Sequence, residues 1–193
     1  EKLFNRVKAV YEGRDTIADP EDKRLVEYYF EKFEMAGANL NASDKAKLKE
    51  LNGEEAKLSA QYSNKLLAAT KGGGVLFDNA ADLEGLSPEE LKSAQSDAEA
   101  IGQAGKYYIA LQNTTQQPAL QSLKNRASRE KIYKASWFRA EKGDENDTRT
   151  TIEQMAKLRL QKAKLLGKPN YAAWKLEDQM AKTPEAAMAM LKQ

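Results

Sequence analysis

The chain has 193 residues, of which 41% are hydrophobic and 31% are charged, so a packed core beneath a heavily solvated surface is expected. Its 31 basic and 29 acidic residues leave a net charge of +2, which argues against a nucleic-acid-binding protein. No apolar run approaches the roughly 20 residues that a membrane span needs, so we expect no membrane partner.

The helical periodicity of the first 70 residues predicts three helices. The first ends at Gly13, the second begins at Pro20 with Asp19 as its N-cap, and the third runs from Ser43 to about Thr70. Their apolar stripes are Leu3, Phe4, Val7, Val10 and Tyr11 in the first, Leu25, Val26, Tyr29, Phe30 and Phe33 in the second, and Leu48, Leu51, Leu58, Tyr62, Leu66 and Ala69 in the third.

Three glycines follow the third helix, at Gly72, Gly73 and Gly74, directly after Lys71. A phosphate-binding loop follows a strand and opens a helix, with Lys and Ser or Thr after its glycines. Here the order is reversed, so the glycines predict a helix stop.

Two short β-strands are predicted in the middle of the chain, one at Val75 to Phe77 and one at 107–111, and we expect them to pair. Between them, Ser87, Pro88 and Glu90 form the pattern of a capping box that opens a helix. The buried face of that helix is predicted to comprise Leu91, Ala94, Ala98 and Ile101.

The last 80 residues predict a polar loop followed by helices. The loop comprises Asn113 to Gln117, and Pro118 opens a short helix after it. Four more helices are predicted. The first begins at Ser128 and has Ile132, Tyr133, Ser136 and Trp137 on its inner face, and the second runs from about Asp147 to Leu166. The third includes Tyr171, Trp174 and Met180, and the fourth starts at Thr183-Pro184.

Arg159 lies among apolar positions of its helix. If it is buried, its guanidinium needs a carboxylate or several carbonyl oxygens as partners. We interpret it as a structural residue that ties two helices together. Glu55 is the single interruption in the apolar stripe of the long helix.

Histidine and cysteine are both absent, which restricts the chemistry of this chain. Imidazole is the usual general base and the commonest zinc ligand, so neither a typical zinc site nor a Ser-His-Asp triad can be built here. We predict no cofactor and no catalytic residue within the chain itself. The lack of cysteine fits a cytoplasmic location and is also compatible with the periplasm.

The sequence resembles the thimet-oligopeptidase-like zinc metallopeptidases. The segments that carry the likeness include SDKAKLKELN at 43–52, REKIYKA at 129–135, AKLLG at 163–167 and QMAKTPE at 179–185. Within that family, AGANL at 36–40, NTTQQPAL at 113–120 and AAWK at 172–175 are most similar to the bacterial dipeptidyl carboxypeptidase branch.

The resemblance implies a largely helical, two-lobed enzyme in which an H-E-x-x-H helix and a further glutamate hold zinc at the floor of a channel. No position of this chain matches those residues. Residues 1–193 are therefore expected to be a helical, N-terminal-side portion of such an enzyme, inactive alone, with zinc and the catalytic lobe elsewhere in the polypeptide. The pattern stops inside a helix, which also favours a piece of a longer chain.

The fold class that we predict is all-α, a multi-helix array with one long helix and a small two-stranded β element. The resemblance implies that these helices form a channel wall and that the whole enzyme acts on short peptides. The predicted channel-facing residues are Asn113, Thr114, Thr115, Gln116 and Gln117, although a simple turn before the Pro118 helix explains them equally well.

Three functions stay open from the sequence. The first is a dipeptidyl carboxypeptidase, which releases dipeptides from free C-termini. The second is an oligopeptidase of the same family that cuts inside short peptides. The third is a free-standing helical interaction module, and a dimer through exposed apolar faces also stays open.

Overall fold

The computed structural model describes residues 2–193. Over that range the chain forms helices α1 to α9 and strands β1 and β2. In chain order they are α1 Lys2–Glu12, α2 Pro20–Met35, α3 Ala42–Lys71, β1 Val75–Phe77, α4 Pro88–Ala100, β2 Tyr107–Ile109, α5 Gln116–Ser122, α6 Arg126–Trp137, α7 Arg149–Leu165, α8 Tyr171–Leu176 and α9 Pro184–Leu191. The all-α prediction, with one long helix and a small sheet, is confirmed.

The residues form two compact units. The first unit comprises residues 1–58 and 154–193, and the second comprises residues 59–153. Both boundaries fall inside helices, one within α3 and the other within α7.

Three helix starts are capped as the sequence predicts. The Asp19 carboxylate accepts hydrogen bonds from the first backbone N–H groups of α2, and the Thr183 hydroxyl does the same for α9. At α4 the capping box is complete, since the Ser87 hydroxyl accepts from the Glu90 N–H while the Glu90 carboxylate accepts from the Ser87 N–H. Such caps stabilise a helix by about 1 kcal/mol each.

Two other predicted starts are wrong by one or two residues. The long helix begins at Ala42, where the Asn41 side chain accepts from the Asp44 N–H, so Ser43 is not its first residue. Helix α6 begins at Arg126, because Asn125 rather than Ser128 supplies the cap. Asn and Ser cap helices about equally well, so the sequence offers both and tertiary packing selects one.

In the first unit, helices α1 and α2 pack through an aromatic seam. The Phe30 ring stacks on Tyr11 with 3.8 Å between ring centroids, and Phe4 lies 6.1 Å from Phe30 and 5.6 Å from Phe33. Phe4 and Phe30 are buried. Aromatic pairs at this separation add about 1 kcal/mol beyond the surface they bury.

The second unit is built around the small sheet. Strands β1 and β2 pair antiparallel, with Val75 opposite Ile109 and Phe77 opposite Tyr107. The predicted pairing is confirmed, but β2 ends at Ile109 and not at position 111. Helix α4 packs on β2 through its buried residues Ala94 and Ala98. The core of the unit consists of Val75, Phe77, Leu83, Ala94, Ile109, Ala119, Leu123 and Ile132.

The glycine run between α3 and β1 ends the helix, as predicted, but two of its members also have a steric role. A Cβ on Gly73 would lie 2.6 Å from the Ala69 carbonyl oxygen, and one on Gly74 would lie 2.0 Å from the Tyr108 ring. Both distances are below any real carbon contact. The backbone contact requires glycine at position 73, and a side chain at position 74 would have to displace the Tyr108 ring.

Some residues predicted on buried helical faces are exposed instead. They are Leu3, Val10, Leu25, Tyr29, Ile101, Tyr133, Trp137 and Met180. In α6 only Ile132 and Ser136 of the predicted inner face are buried, and Met180 lies beyond the end of α8. The apolar stripes are wider than the seams along which these helices meet their neighbours, so the periodicity overestimates what is buried.

Within residues 2–193, no helix combines the length and the apolar character that crossing a membrane requires.

Candidate functional site

The predicted channel-facing segment connects β2 to α5 and is only partly a loop. Gln116 and Gln117 belong to the first turn of α5, so the prediction of a loop through Gln117 and of a helix that opens at Pro118 is wrong. Pro118 occupies the third helical position, where its missing N–H leaves no helical hydrogen bond unmade. A proline can therefore stand two residues inside a helix start, which shifts the predicted boundary.

Thr115 holds this segment in shape. Its hydroxyl donates to the Ala110 carbonyl at 2.6 Å and lies 3.3 Å from the Gln112 carbonyl, while its own N–H also donates to Gln112. These bonds fold the chain back on itself at the end of β2. Thr115 is thus a structural residue of the turn.

The other polar side chains of the segment carry unused hydrogen-bonding groups. Across residues 2–193, the side chains of Asn113, Thr114, Gln116 and Gln117 find no hydrogen-bond partner. Asn113, Thr114 and Gln117 are exposed and Gln116 is half-buried. An amide offers both a donor and an acceptor, which is what an extended peptide backbone needs.

A cleft of about 130 Å³ lies beside this segment, between α4 and β2. Two of the five predicted residues, Thr114 and Thr115, line it, whereas Asn113, Gln116 and Gln117 do not. Its wall is completed by Leu86, Glu90, Ser93, Ala94, Asp97, Tyr108, Ile109 and Ala119. The cleft therefore combines apolar side chains with hydroxyl and carboxylate groups.

A second polar cluster, in the first unit, joins α3 to α7. The Glu55 carboxylate accepts from Arg159 Nε at 2.8 Å and forms an ion pair with the Lys162 ammonium. Lys162 is buried, and Glu55 is only 17% exposed. The predicted role of Arg159 as a tie between two helices is confirmed, although its side chain is 36% exposed. Of the two partner types that the sequence allowed, the structure has the carboxylate.

Aromatic rings of α8 complete this cluster. The Arg159 guanidinium lies 5.1 Å from the centre of the Tyr171 ring, and the Lys162 ammonium lies 5.6 Å from that of Trp174. The Trp174 indole N–H donates to the Met35 carbonyl at 3.1 Å. Cations over aromatic faces gain electrostatic stabilisation that partly replaces lost water.

The sequence pointed to Arg159 but missed Lys162. The signal that could have found Lys162 was the interruption at Glu55, because a carboxylate within an apolar stripe needs a cation. Burial raises the pKa of the Glu55 carboxyl, but the hydrogen bonds from Lys162 and Arg159 outweigh burial and hold that pKa below its ordinary value. The carboxylate stays charged and occupied, which suits a structural tie and not acid–base catalysis.

The residues of this chain do not fit a zinc ion. Among residues 2–193, no group of three or more His, Cys, Asp or Glu side chains comes together as metal ligands would. The sequence has neither His nor Cys, the two residue types that zinc prefers.

The sequence of the chain is similar to those of known peptidases. Residues 119–193 match the family model of Peptidase family M3. The chain is 50% identical over 191 residues to the dipeptidyl carboxypeptidase of Salmonella typhimurium, an alignment that covers 98% of the chain. The chain is thus similar in sequence to the peptidases of family M3.

Other members of the family are also similar to the chain. It is 49% identical to the dipeptidyl carboxypeptidase of Escherichia coli over all of its length, and 34% identical to organellar oligopeptidase A of Arabidopsis thaliana over 96% of its length. The chain spans 28% of the length of each bacterial dipeptidyl carboxypeptidase and 24% of that of the plant oligopeptidase. The predicted resemblance to this peptidase family and to its dipeptidyl carboxypeptidase branch is confirmed.

Proposed function

We propose that this chain is part of a zinc-dependent dipeptidyl carboxypeptidase, which removes dipeptides from the free C-termini of short peptides. The observation that carries the proposal is the identity of about one residue in two to two bacterial dipeptidyl carboxypeptidases across nearly the whole chain. Identity to the oligopeptidases A is lower, at 30 to 35%.

In this proposal residues 1–193 supply helical scaffold and channel wall, and other residues of the same polypeptide hold the zinc. The residue types support this assignment of the zinc to other residues, because the described residues form no cluster of possible metal ligands. The ion pair of Glu55 with Lys162 and Arg159 then serves to fix α3 against α7. No residue of this chain is assigned a catalytic step.

The polar segment before α5 is the part of this wall that we propose to contact substrate. Asn113 and Thr114 are exposed, and their side chains have no hydrogen-bond partner within residues 2–193. The Thr115 hydroxyl, in contrast, already donates to the Ala110 carbonyl within the turn. A peptide that binds here would receive hydrogen bonds from the free amide and hydroxyl groups. The turn would hold those groups in place.

The activity is tested on the complete gene product with a short peptide and its C-terminally amidated copy. A dipeptidyl carboxypeptidase releases dipeptides from the free acid and leaves the amide intact, and a chelator abolishes the release. Equal cleavage of both peptides at an internal bond would favour the oligopeptidase alternative, which the similarity to oligopeptidases A supports. If neither peptide is cleaved, the proposed peptidase activity is wrong, and the helical interaction module is the alternative that fits the result.

The substrate contact is tested with Asn113→Ala and Thr114→Ala combined in the same protein. We expect KM for the peptide to rise about 30-fold at unchanged thermal stability, since the two free groups contribute a hydrogen bond of about 1 kcal/mol each. The matched control is Asn64→Ala, an exposed asparagine on α3. Unchanged KM and kcat in the double variant would remove the segment from the substrate site.

A further inference from the structure

Two carboxylates line the cleft between α4 and β2, those of Glu90 and Asp97, and both residues belong to α4. They are seven positions apart, so they lie on the same face of the helix, about 10 Å from each other along its axis. None of the residues of 2–193 that line the cleft is a lysine or an arginine. The charge of the cleft is therefore complementary to a cation.

Both carboxylates have oxygen atoms available for a ligand. Among residues 2–193, the Asp97 side chain forms neither a hydrogen bond nor an ion pair. Glu90 uses Oε2 to accept from the Ser87 N–H in the capping box, and its Oε1 atom has no partner in the same range. Asp97 is half-buried, so water screens its charge less than that of the exposed Glu90. Asp97 is thus the better placed of the two to bind a cation directly.

The rest of the lining suits an apolar chain. Ala94, Ile109 and Ala119 are buried members of the core, and Leu86 packs against it. The volume of about 130 Å³ equals that of about four water molecules, which leaves room for the four-carbon stem of a lysine. Long cationic side chains lay such stems along apolar surface and keep the charged head at polar groups. The cleft offers both kinds of surface.

We propose that this cleft binds a cationic side chain, lysine or arginine, of the peptide substrate. The proposal rests on the proposed function, which takes short peptides as substrates, and adds a preference for one class of residue. Thr114 belongs both to the cleft and to the segment proposed to contact substrate, so a peptide bound there lies within reach of the cleft. The stem of the side chain covers Ala94 and Ile109, and its cation pairs with Asp97.

Calorimetric titration of the complete gene product with short peptides tests this subsite. A single lysine is moved through the positions of the peptide, and each peptide is compared with a copy that carries norleucine, the same carbon chain without the ammonium. All have an amidated C-terminus, which the proposed activity leaves intact, so binding is measured independently of cleavage. At one position we expect lysine to bind about tenfold more tightly than norleucine, because a charge-assisted hydrogen bond contributes about that factor.

Glu90→Gln combined with Asp97→Asn should reduce this ratio to about one. Glutamine keeps the side-chain oxygen that accepts from the Ser87 N–H, so the capping box stays intact. The matched control combines Glu89→Gln with Glu99→Gln, which changes the net charge of α4 equally at two exposed positions outside the cleft. The control should keep the tenfold ratio.

The other outcomes overturn the proposal. Equal binding of lysine and norleucine at every position, or a lysine preference that the double variant retains, means that the cleft does not bind the side chain. If only acetylation of the peptide N-terminus weakens binding, and the double variant cancels that effect, the cleft binds the N-terminal ammonium instead.

Cleavage of the free-acid peptides, measured on the same sample, keeps the two proposals apart. A protein that cleaves them but binds lysine and norleucine equally contradicts only the subsite. A protein that prefers lysine in the titration but cleaves nothing contradicts only the proposed function.

Discussion

Glu55 on the long helix α3 and Lys162 on α7 form an ion pair that is largely closed to water, and Arg159 binds the second oxygen of the same carboxylate. The Lys162 side chain is only 8% exposed. Removing one partner from a buried pair leaves a charge without compensation, which costs far more than the intact pair contributes.

We therefore predict that Glu55→Ala lowers the free energy of unfolding by about 3 kcal/mol, because Lys162 is left buried without its carboxylate. Denaturant unfolding followed by circular dichroism gives the value. The control is Glu54→Ala on the neighbouring, exposed position, for which we expect a change within about 0.5 kcal/mol. Equal effects of the two substitutions would show that the pair contributes nothing specific.

The same pair predicts a dependence of stability on pH. In the folded state the pKa of Glu55 lies below its ordinary value of 4.5, so the unfolded chain takes up the proton first. The stabilisation is complete above about pH 4.5 and decreases as the pH falls towards the lower pKa of the folded state. We expect the stability gap between the wild type and Glu55→Gln to be constant near neutral pH and to shrink below about pH 4.5.

Denaturant unfolding at a series of pH values between about 3 and 7 measures that gap. Glu54→Gln serves as the reference, since its carboxylate is exposed, and its gap from the wild type should stay small throughout. A Glu55→Gln gap that stays undiminished down to about pH 3 would mean that the carboxylate does not act through its charge.

Gly74→Ala is predicted to destabilise the second unit by about 1 to 3 kcal/mol, because the new methyl group collides with the Tyr108 ring. Gly53→Ala is the matched substitution in the interior of α3, where a Cβ meets nothing within 4 Å. There we expect a gain of about 1 kcal/mol from helix propensity. Thermal unfolding of the two variants should move in opposite directions, and a shift of both in the same direction would refute the steric argument.

Lys182 is the one non-glycine residue among 2–193 with a positive φ, at 61°. L-residues pay about 1 kcal/mol for this left-handed conformation, and glycine does not. We predict that Lys182→Gly raises the free energy of unfolding by about 1 kcal/mol. Lys175→Gly, inside α8, should lower it by a similar amount, so the opposite signs can be read from unfolding curves.

Most of the helix and strand pattern could be predicted from the sequence because its signals are local. The capping box at Ser87 and the cap at Asp19 depend only on neighbouring residues. The errors arose where two local solutions compete, as with Asn125 and Ser128 at the start of α6. Packing decides between them, and packing is not local.

The candidate site was less predictable. The sequence located the polar segment near Thr115 but could not show that its hydroxyl is used up by the Ala110 carbonyl. Likewise it suggested a carboxylate partner for Arg159 without naming Glu55, which lies 104 positions away in the chain. Periodicity assigns a residue to one face of its own helix, but it does not show which other helix packs against that face.

The contacts of Gly73 and Gly74 also bear on how sequences of this family are compared. A side chain at position 73 would collide with a carbonyl of helix α3, and one at position 74 would collide with the Tyr108 ring of strand β2. The two glycines therefore lie at the point where the end of the helix packs against the sheet. An alignment that matches both glycines and the aromatic residue at position 108 also aligns the end of helix α3 and strand β2 correctly, even where the surface residues around them differ. A motif search that scores glycine runs for nucleotide binding would retrieve this segment for an unrelated reason.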